Sequence, residues 1–397
     1  MTRSNDSSSP EKISEPDPAS RVYADHVPVI IGNCAPFRLV LRDDDEWAPT
    51  LEQINNKTYD YLKLCRPSGS IDIGIEPFSL IIGFDGSLIL PALQEFIDRR
   101  AVLTKFNKTL GKMLLGGIYS EAIKPMDISL GSMHTGSGYI RHHGTGIGLR
   151  SGFHRDLREG YGGAIDTMEL RYPRRVQIKE LINAYYRGAR HFAKLGRYSP
   201  SLLLNGVSSY VNQEWQQALI FLWTAVEQVV ELIWEKLIIG SSREETEIEQ
   251  IKHRSQFLRD YRSWTKAVKL ELLYQKQCLP ISDYKLLSQA RKARNEFAHR
   301  GLLVTKEDAS SALDSLFHLI SLIITEHKDR NTLDSVIRII RENEQEEHFQ
   351  NRGRTVIPDD ALEGAVWLPM KPHPGDPSWG NQPYETRDAL VSVSKKQ

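Results

Sequence analysis

The stretch WQQALIFLWTAVEQVVELIWEKL, residues 215–237, decides how the second half of the chain folds. Apolar residues recur through it at steps of three and four, at Trp215, Leu219, Leu222, Val226, Val229, Ile233 and Leu237. That spacing places them on one face of an α-helix, as in an amphipathic bundle helix. We therefore predict a first bundle helix at about 208–239.

Three later segments carry the same helical spacing, and we predict them as helices at about 246–276, at about 282–300 and from Thr305 onwards. Gly301 follows the third helix in the position where a left-handed residue commonly ends a helix. Thr305, with Asp308 three positions later, resembles a capping box that opens the fourth. Four such helices with short links predict an antiparallel bundle over about 206–328.

The first half of the chain alternates short apolar runs with Gly, Pro and Asp, which is typical of strands. Between about 90 and 115, and again at about 174–197, the apolar spacing becomes helical. We therefore predict an α+β domain at 21–200, which a break near Ser199-Pro200 divides from the bundle. The runs predicted as strands are Val27–Ile31, Phe37–Leu41 and Phe78–Ile82.

The two ends of the chain read differently. Residues 1–20 are rich in Ser, Pro and charge, so we predict a disordered leader. Residues 329–397 are predicted to hold a short helix, from Leu333 to about Glu344, followed by an irregular tail with several prolines. The predicted fold class is thus an α+β domain followed by an all-α four-helix bundle.

Composition limits the classes of partner. The chain of 397 residues has 51 Lys plus Arg and 51 Asp plus Glu, so any contact with nucleic acid needs a local basic patch. Its three cysteines are widely spaced, which predicts neither a disulfide framework nor a zinc site and fits a reducing compartment. No run of about eighteen apolar residues and no signal sequence is present, so we predict a cytoplasmic protein with no membrane span.

The sequence ARNEFAHRG, residues 293–301, carries the candidate chemistry at the end of the third helix. Asn295 and His299 are four apart and share a helix face. Arg294 lies about 140° around the axis from His299, so its side chain must reach round or the turn must distort. His299 can move protons near neutral pH, and Arg294 can neutralise phosphoryl oxygens. This set suits attack of an RNA 2′-hydroxyl on its own 3′-phosphate, which requires no metal or other cofactor.

Together, this motif and the predicted bundle resemble the HEPN superfamily over about 206–328. Catalytically competent members carry Arg, a polar residue that is often Asn, and a nearby His on one bundle helix. The resemblance implies a metal-independent endoribonuclease with Arg294, Asn295 and His299 as catalytic residues, acting in a stress, toxin or anti-phage response. It also implies a homodimer that pairs two motifs across a basic cleft. The implied partners are RNA, a second copy, and a regulatory protein or nucleotide ligand.

Spacing alone does not single out this motif. Arg21 with His26, and Arg341 with His348, also satisfy the loose pattern, but neither has the Asn neighbour or lies in the bundle. A polar helix end is the alternative interpretation, because Arg and His complement the dipole at a helix C-terminus. Some superfamily members bind without cutting, so the alternative function is a non-catalytic module for dimerisation or for nucleotide or RNA binding.

Two further stretches have basic character. In 172–197, Arg174, Arg175, Arg187 and Arg190 interleave with aromatics, which suits stacking and phosphate contact with RNA; a helix with inward aromatics and outward charges has the same pattern. The Gly-rich segment 131–163 has neither a P-loop nor a dinucleotide fingerprint. Its His and Arg residues can serve phosphate or RNA, but we interpret it as a flexible, poorly packed loop.

Overall fold

A computed structural model of the chain describes residues 25–344, except 144–147, 162–166, 197, 240–259, 261 and 325. The predicted leader and the tail beyond residue 344 lie outside the described residues. The strands are β1 (His26–Gly32), β2 (Arg38–Leu41), β3 (Pro67–Ile75), β4 (Phe78–Gly83), β5 (Leu88–Pro91), β6 (Ile128–His134), β7 (Ile140–His142) and β8 (Arg174–Gln177).

The helices lie mainly in the second half. They are α1 (Leu51–Asn55), α2 (Tyr61–Leu64), α3 (Arg99–Leu115), α4 (Leu149–Arg158), α5 (Thr167–Arg171), α6 (Ile178–Lys194), α7 (Pro200–Val211), α8 (Trp215–Trp234), α9 (Lys266–Gln275), α10 (Ile281–Arg300), α11 (Lys306–Ile323) and α12 (His327–Glu342). A π-helical turn, Glu235–Ile239, follows α8 directly.

Six strands form an antiparallel sheet in the order β3-β4-β5-β1-β6-β7. Ile30 of the inner strand β1 is paired with Leu90 on one side and with Leu130 on the other. Ile30 and Leu90 share one buried cluster with Phe106 of α3, so α3 contributes to the core on one face of the sheet. The three strands predicted from apolar runs are confirmed as β1, β2 and β4.

Two predictions for the first half are wrong. Residues 174–177 form the strand β8 rather than the start of a helix, because they pair in parallel with β2, and α6 begins at Ile178. Pairing partners outside the local sequence override a short helical pattern. The described residues of the Gly-rich segment 131–163 do not form a poorly packed loop, since they contribute to β6, β7 and α4, and His154 and Arg158 of α4 are buried.

The central helix of the second half is α8, which contacts α7, α9, α10 and α11. Its predicted stripe is buried at Leu219, Leu222, Val226, Val229 and Ile233. The single helix predicted at 208–239 is wrong, because α7 ends at Val211 and Gln213 adopts a left-handed conformation with φ of 59° before α8 begins.

Within the described residues, the predicted second helix, 246–276, is confirmed only from Lys266 onwards, because residues 260 and 262–265 are not helical. Thr265 caps its N-terminus and α9 starts at Lys266, while 246–259 lies outside the described residues. The third helix is confirmed as α10, and it ends at Gly301, whose φ is 66°. The fourth is confirmed as α11, with the capping box of Thr305 and Asp308 in place. The short helix after residue 329 is confirmed as α12.

The hydrophobic core continues across the predicted boundary near residue 200. One cluster of buried residues includes Ile30 and Leu90 of the sheet, Leu222 of α8 and Val336 of α12. The fold is therefore an antiparallel-sheet region followed by helices, and both contribute to this cluster. Among the described helices, Trp215–Ile239 alone is long and apolar enough by composition to span a membrane, but 56% of that window is buried inside the protein, as in a soluble core helix.

Candidate functional site

The predicted catalytic residues lie on the last two turns of α10. Leu287 and Ala290 are fully buried beneath this helix, and Phe297 packs partly buried against the same core. Arg294 and Asn295 are half-buried, whereas His299 is exposed. The apolar side of α10 thus anchors the helix and leaves His299 in contact with solvent.

Arg294 reaches round the helix. Its Nη1 donates to Asn295 Oδ1 at 3.1 Å, which brings the guanidinium toward the face that Asn295 shares with His299. The helix itself stays regular through Arg300, and the Gly301 N–H donates to the Phe297 carbonyl at 2.9 Å. The helix is therefore not distorted at the motif, and the Arg294 side chain extends toward Asn295.

The end of α10 also sets the local field. Carbonyl groups at a helix C-terminus carry partial negative charge, so His299 and Arg300 in the last turn complement that charge. A phosphate at this end must therefore be attracted by side chains such as Arg294, and not by the backbone. Leu302 and Leu303, just past Gly301, are 48% and 84% exposed, so the site borders an apolar surface.

The four arginines predicted to contact RNA do not share one role. Arg174 Nη1 donates to Asn343 Oδ1 at 2.7 Å, and Arg175 Nη2 donates to the Trp47 carbonyl at 2.7 Å. Arg187 lines a cavity of about 440 Å³ together with residues of α12, and Arg190 is exposed. Arg187 and Arg190 belong to α6, which packs on α3, whereas α10 packs on α8, α9 and α11.

Sequence reasoning missed a set of buried charges between the sheet and α4, namely Asp85, His154 and Arg158, here called the buried ionic cluster. Asp85 Oδ2 accepts from His154 Nδ1 at 2.6 Å and pairs with Arg158 Nη2. Asp85 Oδ1 accepts from the Ser87 hydroxyl at 2.7 Å. All three side chains of the cluster are at most 4% exposed.

The electrostatics of the buried ionic cluster favour the charged carboxylate. Burial would raise the pKa of the Asp85 carboxyl, but Arg158 and His154 hold that pKa far below its usual range. His154 Nε2 faces the Cys34 carbonyl at 2.9 Å, so both ring nitrogens of His154 act as donors. Because both carboxylate oxygens of Asp85 have partners, the cluster acts as a structural clamp between the sheet and α4.

A cavity of about 290 Å³ opens beside the buried ionic cluster, and we call it the β7 pocket. Edge strand β7, helix α4 and the residues around α2 form its wall. Arg158 lies in the floor, where its Nη1 donates to the ring of His142. Its lining residues are Tyr61, Cys65, Tyr139, Ile140, Arg141, His142, Arg155, Arg158, Glu159 and Tyr161.

Three titratable groups of the β7 pocket, His142, Cys65 and Tyr139, are held in their neutral forms. Burial and the neighbouring Arg158 lower the pKa of His142 to about 2, so the ring accepts the Arg158 hydrogen bond as neutral imidazole. Burial raises the pKa of the Cys65 thiol, and burial with Cys65 beside it raises the pKa of Tyr139 to about 12. A thiol of raised pKa beside a neutral histidine is a poor nucleophile, so the pocket suits binding better than covalent catalysis.

The sequence alone could have revealed only part of the buried ionic cluster. His154 and Arg158 are four apart and so share a helix face, which a helical interpretation of 149–158 would have revealed. Their partner Asp85 lies 69 positions from His154 along the chain, and no local pattern links the two.

Comparisons of the chain with models of protein families, with curated proteins and with solved structures find no match. Within the part of the chain that the structure describes, no group of three or more His, Cys, Asp or Glu side chains is placed to hold a metal ion.

Proposed function

We propose that the protein is a metal-independent endoribonuclease whose site is Arg294, Asn295 and His299, on an HEPN-like bundle formed by α8 to α11. The observation that supports the proposal is the Arg294–Asn295 hydrogen bond, because it joins the guanidinium to a residue that shares a helix face with the exposed His299. Acting on RNA, such an enzyme fits a stress, toxin or anti-phage response in the cytoplasm.

The proposed reaction uses the substrate's own nucleophile. His299 accepts the proton of the 2′-hydroxyl, the 2′-oxygen bonds to phosphorus, and the bond from phosphorus to the 5′-oxygen breaks. The leaving 5′-oxygen takes up a proton, so the products carry a 2′,3′-cyclic phosphate and a 5′-hydroxyl. Arg294 neutralises the phosphoryl oxygens through its fork of donors, and Asn295 orients the guanidinium to which it is bonded.

A second copy of the chain belongs to the proposal. One exposed histidine and one arginine at the negative end of a helix are a sparse phosphate site, and two copies facing each other would double the positive charge. Leu302 and Leu303 supply exposed apolar surface beside His299, as a dimer contact requires. The alternative is a module that binds RNA or a nucleotide without cutting, which the ordinary cap of α10 at Gly301 favours.

The test is cleavage of total RNA by the purified full-length chain in EDTA. We expect cyclic-phosphate ends, abolished in His299→Ala and in Arg294→Ala, with little rescue by Arg294→Lys because a point charge cannot replace the bidentate fork. Since His299 is exposed, its loss should change stability by no more than about 0.5 kcal/mol.

Arg338→Ala is the matched control, because it removes an exposed arginine from α12. Loss of cleavage in EDTA, or 5′-phosphate products, would show that the reaction follows another mechanism. Unfolding of both alanine variants would instead assign the three residues to the structure of the helix end.

A further inference from the structure

The β7 pocket has the dimensions of a small-molecule site. Its volume of about 290 Å³ lies just below the range for such sites, which begins at roughly 300 Å³. Its floor is built from a buried side chain, since Arg158 is 5% exposed and its guanidinium is fixed by Asp85 and Asn33. A cation held in place in this way is a preorganised partner for an anion.

One cation in the wall is free to contact an anionic group of a ligand. Three guanidinium groups, those of Arg141, Arg155 and Arg158, face a single carboxylate, Glu159. Arg155 already pairs with Asp156 at 3.1 Å, and Arg158 with Asp85. Arg141 is exposed and makes no side-chain hydrogen bond or ion pair with the described residues. Its charge is therefore available to a ligand.

Three aromatic rings line the same cavity. Tyr61, Tyr139 and Tyr161 offer faces or edges to a planar group, and Tyr161 is 61% exposed at the rim. Lys57 Nζ lies 5.4 Å from the centre of the Tyr161 ring and adds a cation at the same rim. Nucleobases stack on such rings irrespective of base identity, because every base has a π-face.

We propose that the β7 pocket binds a nucleoside monophosphate, with its phosphate on Arg141 and Arg158, its base against the tyrosines and its ribose hydroxyls on Glu159. Guanidinium groups bind phosphate through charge-assisted hydrogen bonds, and a carboxylate accepts from the vicinal hydroxyls of ribose. Inorganic phosphate would leave the rings and Glu159 unused. The segment supplying Arg141, His142, Arg155 and Arg158 is the Gly-rich stretch 131–163, which thereby gains a role.

The test is calorimetric titration of the full-length chain with the 5′-monophosphates of adenosine, guanosine, cytidine and uridine. We expect at least one of them to bind, with inorganic phosphate and the matching nucleoside weaker by at least about tenfold. Arg141→Ala and Tyr161→Ala should each weaken binding by about tenfold or more, while Tyr161→Phe retains it because the ring remains. Both positions are exposed, so neither variant should unfold the chain.

Arg338→Ala removes an exposed arginine from α12 and should bind like the wild type. His299→Ala should also bind like the wild type, since this site is independent of the proposed ribonuclease site. The proposal is overturned if none of the four nucleotides binds at about 1 mM. It is equally overturned if inorganic phosphate binds as tightly as the nucleotides, or if Arg141→Ala and Tyr161→Ala leave binding unchanged.

Discussion

His142 accepts a hydrogen bond from the buried Arg158, so the stability of the fold depends on the protonation state of the His142 ring. Arg158 is fixed on its other side by Asp85, so it cannot move away when His142 gains a proton. Two cations would then face each other in the floor of the β7 pocket. The neutral ring is therefore required for the native arrangement.

We predict a stability that depends on the protonation of His142. The pKa of His142 in the folded chain, about 2, lies below that of an unfolded-chain histidine. The unfolded state thus binds the proton first, near pH 6.5. The contribution of neutral His142 is complete above about pH 6.5 and is lost as the pH falls toward the folded-state pKa, by up to about 1.4 kcal/mol per pH unit.

Urea unfolding at about pH 7.5 and about pH 5 would measure this dependence. His142→Asn should lose less stability between the two pH values than the wild type, because its side chain gains no proton. His143→Asn is the matched control, since it removes an exposed imidazole from the adjacent position. Equal losses in His142→Asn and the wild type would contradict the prediction.

For individual helices and strands, the sequence predicted the structure well where the deciding interactions lie within a few residues of one another. Gly301 and the Thr305–Asp308 box mark the ends of α10 and α11 through hydrogen bonds within a few residues. The stripe of α8 is equally local. For the candidate site, local spacing predicted that Asn295 and His299 share one helix face. The direction of the Arg294 side chain could be seen only in the structure.

Predictions failed where distant partners decide the conformation. Residues 174–177 are a strand only because β2 lies beside them, and the helical pattern of 174–197 contains no trace of that pairing. Gln213, just after the end of α7, adopts a left-handed conformation that is usually adopted by glycine. The sequence therefore has no glycine here to indicate the break between α7 and α8. The buried ionic cluster was missed for the same reason, because Asp85 meets α4 only in the folded chain.

The cap of α11 offers a prediction for a single element. Thr305 Oγ1 accepts from the Asp308 N–H at 3.3 Å, and Asp308 Oδ2 accepts from the Thr305 N–H at 3.2 Å. Thr305→Ala should destabilise the protein by about 1 kcal/mol, because the backbone donors of the first turn lose their acceptor. Thermal unfolding measures the change.

Thr224→Ala is the matched control, since Thr224 lies inside α8 and its hydroxyl donates to the Ile220 carbonyl. Alanine has the higher helix propensity, so this variant should be neutral or slightly more stable. A loss at Thr224→Ala equal to that at Thr305→Ala would argue against the capping role.

For the whole molecule, the contact of α3 with α7 joins the sheet region to the helices of the second half. Gly111 of α3 permits this close approach, since a Cβ there would lie 2.1 Å from the backbone oxygen of Pro200. The contact lies at the predicted division near residue 200. The two parts are held together by backbone packing at this point as well as by the shared core.

We predict that Gly111→Ala destabilises the protein by about 1–3 kcal/mol, because a backbone oxygen cannot yield as a flexible side chain can. Gly152→Ala is the matched control, since that position also lies within a helix but no atom lies within 4 Å of the added Cβ. It should be neutral or stabilising by up to about 1 kcal/mol. Urea unfolding compares the two, and equal stabilities would mean that α3 and α7 separate without cost.

The parallel pair of β2 and β8 has a consequence for the order in which the chain acquires its structure during synthesis. Arg38 pairs with Arg174, so β2 leaves the ribosome long before its partner exists. The apolar residues of α3 likewise stay uncovered until α7 has been synthesised and packs against them. Folding that depends on such distant pairings is slow. Until their partners are present, β2 and α3 expose surfaces that are prone to association. The growing chain therefore needs protection from association until roughly its first half and the start of its second half have been synthesised.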